Sequence, residues 1–237
     1  PNNEYSVSYF WGTVGIVYDK TKVDLSDLET EGYDIFLDKK YRGDIYLYDS
    51  ERDSFMMALK ALGYSMNTSS NAELEAAYDW LARCVKTMDP EIVTDEIIDN
   101  MAQGRKALGL CYSGDATYIM SENEDMGFYL PKEGTNLWYD SMVIPSNAKN
   151  VALAHEFINY VSSYEAAYDN SAYVGYTAPN QIVMDELSSG DGDYAGINAY
   201  LPRSGYDKDE VFVYNEETRK IISNLWSKVK ITASNAN

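Results

Sequence analysis

The sequence predicts an α/β fold built on a largely parallel sheet. Short β-branched and aromatic runs alternate with amphipathic helical stretches along the chain, the pattern of successive strand–helix units. Several strands end in polar residues of the kind that cap the helix behind them. No internal repeat or low-complexity linker interrupts the series. With 237 residues, 45% of them hydrophobic, there is apolar material for one large domain or two small ones.

Residues 5–18 alternate and are rich in β-branched and aromatic residues, which reads as two strand segments broken at Gly12. A short helix over 25–28 follows, capped by Asp24 or Ser26. Residues 43–49 form a compact strand. Behind it Phe55, Met56, Leu59 and Leu62 recur at helical spacing until Gly63 stops the helix. Asn71 caps a long helix with Leu74, Ala77, Tyr78, Leu81, Cys84 and Met88 on one face. A short helix over 95–103, a strand over 107–112 and a helix to Met120 come next. Residues 128–130 and 142–144 read as short strands around a polar loop, and helices are expected over 150–160, 164–169 and 181–187. The Gly-, Asp- and Ser-rich stretch 188–205 reads as a mobile loop, 216–229 as the last helix, and 233–237 as a frayed tail.

Composition removes several functions. Nineteen Lys and Arg against 38 Asp and Glu leave a formal charge of −19, which excludes nucleic acid and anionic membranes as partners. No uncharged apolar stretch reaches the ~18 residues of a membrane span. Pro1-Asn2-Asn3-Glu4-Tyr5 lacks the features of a signal peptide, so the expectation is either a cytosolic chain or an exporting segment upstream. Cys84 and Cys111 lie among apolar neighbours and are expected as buried thiols. His155 is the lone histidine and reads as a partly exposed helix residue, which argues against a Ser-His-Asp triad and a histidine-built zinc site. The usual glycine-rich phosphate loops are missing too.

What stands out is aromatic content: 22 Tyr and 4 Trp against 6 Phe. Flat rings with a polar edge suit wet, polar or cationic ligands, although most of the tyrosines must serve the surface or the core. In open α/β sheets ligands sit beyond the carboxyl ends of the strands. The turns there, 49–53, 112–115 and the loop 136–140, collect Asp49, Ser50, Asp53, Tyr112, Asp115, Trp138 and Asp140. Carboxylates interleaved with aromatics fit a cation with apolar length. Taken singly, Asp49, Ser50 and Asp53 are equally well read as helix caps and first-turn acids.

Four blocks carry a resemblance. Tyr5-Ser-Val-Ser-Tyr-Phe-Trp-Gly-Thr13, Asp49-Ser-Glu-Arg-Asp53 with Ala58-Leu-Lys-Ala-Leu-Gly-Tyr64, Asn136-Leu-Trp-Tyr-Asp-Ser-Met-Val-Ile-Pro145 and Val174-Gly-Tyr-Thr-Ala-Pro-Asn180 resemble the spermidine/putrescine-binding proteins of bacterial ABC importers. The resemblance implies a periplasmic-binding-protein-like (type II) fold of two α/β lobes that clamp a polyamine. It places ligand aromatics at Tyr112, Trp138 and Tyr176, a ligand carboxylate at Asp140, two acid positions at Ser50 and Asp53, and a weaker contact at Tyr214. Ser50 departs from the Asp of other members, and Asp53 is a methylene shorter than the Glu of some.

The same resemblance assigns 21–138 with 185–237 to a complete second lobe, and 1–20 with 139–184 to part of a first lobe. Its N-terminal portion is absent, so the chain is either an excised piece or the tail of a longer polypeptide such as a permease fusion. The first-lobe remnants then leave Val7, Phe10, Val14, Leu153, Phe157 and Ile158 on unpartnered faces, which implies dimerisation through them. The implied role is cargo delivery to permease subunits at the outer face of the bacterial cytoplasmic membrane or in the periplasm. It is not enzymatic, and it calls for no metal or cofactor. Two alternatives stay open. Paired carboxylates and Trp platforms also serve glycoside hydrolases and carbohydrate-binding proteins, and the fold also carries other cargoes such as ferric iron or an amino acid.

Overall fold

A computed structural model describes residues 4–235. In chain order its elements are β1 (Val7–Asp19), α1 (Leu25–Glu31), β2 (Ile45–Tyr48), α2 (Glu51–Ala61), α3 (Asn71–Met88), β3 (Glu91–Val93), α4 (Glu96–Ala102), β4 (Leu108–Tyr112), α5 (Ser113–Glu122), β5 (Met126–Tyr129), β6 (Leu137–Met142), α6 (Val151–Val161), α7 (Tyr164–Val174), α8 (Gln181–Ser188) and α9 (Glu216–Ser234). Three 3-10 turns, Gly32–Leu37, Lys39–Tyr41 and Asn198–Tyr200, complete the series.

The α/β class holds, with helices on both faces of one sheet, but the sheet is mixed. Its order is β3-β2-β4-β1-β5, with β6 on the outer half of β1. β2 pairs parallel with both β3 and β4, whereas β1 runs antiparallel to β4, β5 and β6. Strands joined by a full helical crossover come out parallel. The β1–β2 connection is a seven-residue helix plus 3-10 turns, and strand–helix alternation carries no information on direction there.

β1 is a single 13-residue strand with no break at Gly12. Its partners change there instead: residues up to Thr13 pair with β6, and those from Val14 pair with β4 and β5. Gly12 is small because of what lies beside it. A Cβ there would stand 2.5 Å from both Ser113 Oγ and the Trp138 ring. The predicted loop 136–140 is in fact most of β6. Its burial alternates poorly, with half-buried and exposed residues on both faces, so no period of two marks it as a strand. Residues 143–144 lie beyond it. The three-residue edge strand β3 is too short to show a pattern in sequence.

One core packs α2, α3 and α9 on one face of the sheet through Phe55, Met56, Leu59, Leu74, Leu81, Leu225 and Trp226. A smaller core on the other face joins α4 and α5 through Ile97, Met101, Ala116 and Ile119. The segment 188–205 is not a loose loop: Tyr194 and Tyr200 are buried against α7 and α8, and the Tyr200 backbone carbonyl accepts from Thr177 Oγ1. Phe10 and Val14 are buried as well, whereas Leu153 and Phe157 on α6 are 56% and 61% exposed. Cys84 and Cys111 are free and buried. α9 continues through Ser234 and is capped by Asn235, whereas Ala236 and Asn237 of the expected tail lie outside the described residues, as do the first three.

The segment leading into α9 is tied to α2 by one buried ion pair. Lys60, with a side chain 5% exposed, bonds the Glu210 carboxylate, which also accepts from Ser65 Oγ and Met66 N. Lys60 Nζ also donates to the Lys208 carbonyl at 2.7 Å. The backbone of Glu210 bonds Thr135 and Leu137 at 2.9 and 2.7 Å, which fixes the start of β6. Burial works to raise the Glu210 pKa, but the bonds from Lys60, Ser65 and Met66 outweigh it and hold it below the usual value. The stability from this pair is therefore present above the ordinary carboxylate pKa and lost as pH falls through the lower folded value. Glu210→Ala is expected to cost about 3–5 kcal/mol because it strands a buried ammonium. Adding Lys60→Met should recover at least half of that, and urea unfolding of the three variants checks both figures.

Candidate functional site

Strand ends place the site. β2 ends at Tyr48, and Ser50 caps α2, accepting from Asp53 N at 3.3 Å. A Ser-x-x-Asp spacing at a helix start normally returns the acid to the cap's own backbone N–H. Here the Ser50 N–H is taken by the Tyr48 carbonyl, and the Asp53 carboxylate accepts the Ser50 hydroxyl instead, at 2.7 Å. The same Oδ2 accepts the Tyr112 hydroxyl at 2.7 Å, and Oδ1 faces Asn136 Nδ2 at 3.5 Å. Asp53 has no exposed surface at all.

β4 runs directly into α5 with Tyr112 as the cap residue, so the Tyr112 side chain leaves the sheet at its carboxyl edge. Its ring meets Trp138 edge-on, centroids 6.0 Å apart, and Trp138 in turn meets Tyr176 edge-on at 5.3 Å. Tyr48 closes on Tyr112 from behind at 5.6 Å. Edge-to-face contacts of this kind fix ring orientation as well as burying area. Trp138 reaches the cluster because β6 lies antiparallel on β1, opposite Gly12. Asp140 follows two residues along β6 and so stands on the face that carries Trp138. Tyr139 takes the other face and stacks on Trp11 at 6.1 Å.

Tyr176 lies over the start of α5. A Cβ on Gly114 would fall 1.7 Å from its ring, so this position must be glycine for the ring to rest there. The Tyr176 hydroxyl donates to Asp115 Oδ1 at 2.9 Å. Burial pushes the Asp115 carboxyl up to about 6, against the lowering effect of that bond. Burial also raises the Tyr112 and Tyr176 hydroxyls, aided by the negative charge of Asp53 and Asp115 respectively, so both stay protonated donors. Partial burial raises the Asp140 carboxyl somewhat. Trp138 Nε1, Thr13 Oγ1 and Asn136 Oδ1 are buried without a hydrogen-bond partner, an unusual concentration of unspent polar capacity around one cluster.

Of the sequence-selected residues, Ser50, Asp53, Tyr112, Trp138 and Tyr176 form one connected group, with Asp140 beside it on β6. Tyr214 does not join them: it is 76% exposed and bonded to Glu216, lining a separate groove whose rim includes Ser50. Asp49 also turns away, accepting Trp226 Nε1 at 3.0 Å and Lys230 Nζ at 3.1 Å as an anchor for α9. Asn136, Gly114 and Tyr48 went unselected. Asn136 lay inside a stretch read as loop, and Gly114 matters only through a ring from a distant segment. Among the described residues no group of three or more His, Cys, Asp or Glu is placed to hold a metal ion. None of their helices is long and apolar enough to cross a membrane.

Residues 3–191 match the family described as bacterial extracellular solute-binding protein. The chain belongs to that family. It is 34% identical over 191 residues to the spermidine/putrescine-binding periplasmic protein of Escherichia coli, a match covering 79% of this chain and 53% of the relative. It is 25% identical over 251 residues to the putrescine-binding periplasmic protein SpuD of Pseudomonas aeruginosa, covering 97% and 66%. The crystal structure of the spermidine/putrescine ABC transporter substrate-binding protein PotD from Streptococcus pneumoniae superposes with a TM-score of 0.81 at 34% identity, covering 98% of this chain and 71% of that one. Against the Escherichia coli relative the chain thus spans about half of the whole. The α/β binding-protein fold is shared with these solute-binding proteins.

Asp115 gives the site a measurable pH signature. Its folded pKa of about 6 lies above the ordinary 3.8, so the folded state holds more protons than the unfolded one between about pH 4 and 6. Stability is therefore expected to decline as pH rises through that window and to level off above it. Asp115→Asn keeps an acceptor for Tyr176 but removes the charge. Thermal unfolding should show the decline flattened, with the variant about 1–2 kcal/mol more stable than the parent at pH 7.

Proposed function

We propose that this chain forms part of a receptor that binds a polyamine outside the cytoplasm and hands it to the permease of an ABC importer. One observation carries the reading: Tyr112, Trp138 and Tyr176 form a continuous edge-to-face run bordered by Asp53, Asp115 and Asp140. Aromatic faces hold methylene chains and add about 0.5–2 kcal/mol of cation–π attraction, while carboxylates neutralise ammonium heads. The formal charge of −19 raises the local concentration of such cations. Relatives named for spermidine and putrescine binding support the same cargo class.

In this reading Tyr112, Trp138, Tyr176 and Asp140 meet the ligand, Ser50 and Asp53 support that wall, and Tyr214 lies at its margin. Residues 21–138 with 185–237, joined by the half of β1 that pairs with β4 and β5, act as one jaw of the clamp, and the rest of 1–20 with 139–184 contributes to the other. A sugar ligand would not call for clustered acids, which is why a carbohydrate site is the weaker alternative.

Calorimetry on the complete gene product tests the cargo. Spermidine or putrescine should bind, and neutral oligosaccharides should not. Asp140→Asn should cost about 2–3 kcal/mol, since one ammonium head loses its charge partner. Trp138→Ala should cost a similar amount through lost stacking. Wild-type affinity in both variants would sink the site assignment. Affinity should also fall steeply with added salt, whereas a neutral diol of the same length should bind far more weakly at every ionic strength.

A further inference from the structure

Three carboxylates border the aromatic run, and they differ in what holds their charge. Asp53 is sealed beneath hydrogen bonds and Asp140 is exposed. Asp115 is half-buried in the first turn of α5, directly after Gly114, on which the Tyr176 ring rests. Its Oδ1 accepts the Tyr176 hydroxyl at 2.9 Å, so its charge stands at the Tyr176 end of the run. Tyr48 at the end of β2, Cys111 and Tyr112 on β4, Tyr176 beyond α7 and Asp95 at the head of α4 are the titratable groups around it. The phenols and the thiol are neutral, and Asp95 adds a charge of the same sign. Among the described residues no Lys, Arg or His forms an ion pair with Asp115. Burial, with the charge of Asp95, therefore outweighs the bonds from Tyr176 and the Tyr112 backbone and lifts its pKa to about 6.

We infer that Asp115 is a charge partner for the cationic ligand and that binding displaces a proton from it to solvent, an inference that rests on the polyamine reading above. An ammonium at the Tyr176 end of the run supplies the counter-charge that the surrounding groups do not. The charged form of Asp115 is then favoured, and its proton leaves as the ion pair forms. Protonation in the free protein leaves the wall intact, because the carbonyl oxygen of a carboxylic acid still accepts from the Tyr176 hydroxyl. Only the charge is lost. Aliphatic amines, with pKa values near the lysine value of about 10.4, stay cationic throughout this range, so the proton comes from the protein. Affinity is thus highest above the folded pKa of about 6 and falls as pH drops through it.

Titration calorimetry of the complete gene product with 1,4-diaminobutane and with spermidine, at pH 7 and at pH 5, tests this. Whichever amine binds should bind about tenfold more weakly at pH 5. At pH 6, titrations in two buffers of different ionisation enthalpy should show release of up to about half a proton per ligand bound. Asp115→Asn keeps an acceptor for Tyr176. It should bind about tenfold more weakly than the parent at pH 7, with little change at pH 5 and no proton release. Asp140→Asn should bind more weakly at both pH values yet keep the dependence and the release. That result assigns both to Asp115 and not to Asp140, whose carboxyl is also raised. Parent affinity that is equal at the two pH values, or binding without proton release, would overturn the inference. So would a pH dependence that survives Asp115→Asn, which is what a purely structural role in seating Tyr176 predicts. Binding of neither amine at either pH overturns the polyamine reading itself, whereas pH-independent binding overturns this inference alone.

Discussion

The site is organised by a buried carboxylate that has no cation in contact with it among the described residues. Asp53 lies in the first turn of α2, where the helix dipole favours its charge, and its oxygens accept hydrogen bonds from Ser50, Tyr112 and the amide of Asn136. Those three partners come from the β2–α2 turn, the end of β4 and the start of β6. A single desolvated anion therefore holds three separate strand ends in register. Leaving any of its bonds unmade inside such a site costs far more than the bond itself contributes, so the geometry is strongly determined.

From that anchor the aromatic run follows. Tyr112 is held by its hydroxyl and so presents its ring to Trp138, and Trp138 presents its own ring to Tyr176. Tyr176 is secured at the far end by Asp115 and seated on Gly114. Two glycines, Gly12 beneath Trp138 and Gly114 beneath Tyr176, leave room for large rings where any Cβ would collide. Rings, hydroxyls and glycines form one packed unit with a carboxylate at each end. Burial lifts the Asp115 carboxyl to about 6, against the lowering effect of the one bond that Tyr176 gives it.

Much of this was legible in sequence. The helices from α2 to α5 and the strands β2 and β4 showed the right periods, and the strand-end rule pointed to the turns where the cluster lies. Three features were hidden for physical reasons. The direction of β1 depends on a connection too irregular to imply a crossover. β6 shows no alternation, because its residues are half-buried or exposed on both faces and Trp138 is drawn inward by its neighbours rather than by the sheet. Asp49 and Asp53 sit four residues apart in one turn and look alike in sequence, yet one faces α9 and the other the aromatic cluster. Side-chain direction at a cap depends on which partner reaches it first, and local sequence does not encode that.

The large negative charge of the chain and the fixed carboxylates around the aromatic run do different work. Nineteen excess charges spread over the surface create a field that gathers cations and is screened over about 8 Å at physiological salt. A field of that kind does not distinguish amines by length or spacing. The carboxylates around the aromatic run differ in reach: Asp53 is sealed, Asp115 is half-buried and Asp140 is exposed. Sealing a carboxylate beneath two hydroxyls preserves its anchoring role while withdrawing its charge from direct contact. The same residue type at the same sheet edge can therefore be an internal anchor or an accessible charge. Which it is depends on whether neighbouring hydroxyls reach its oxygens, as Ser50 and Tyr112 reach Asp53.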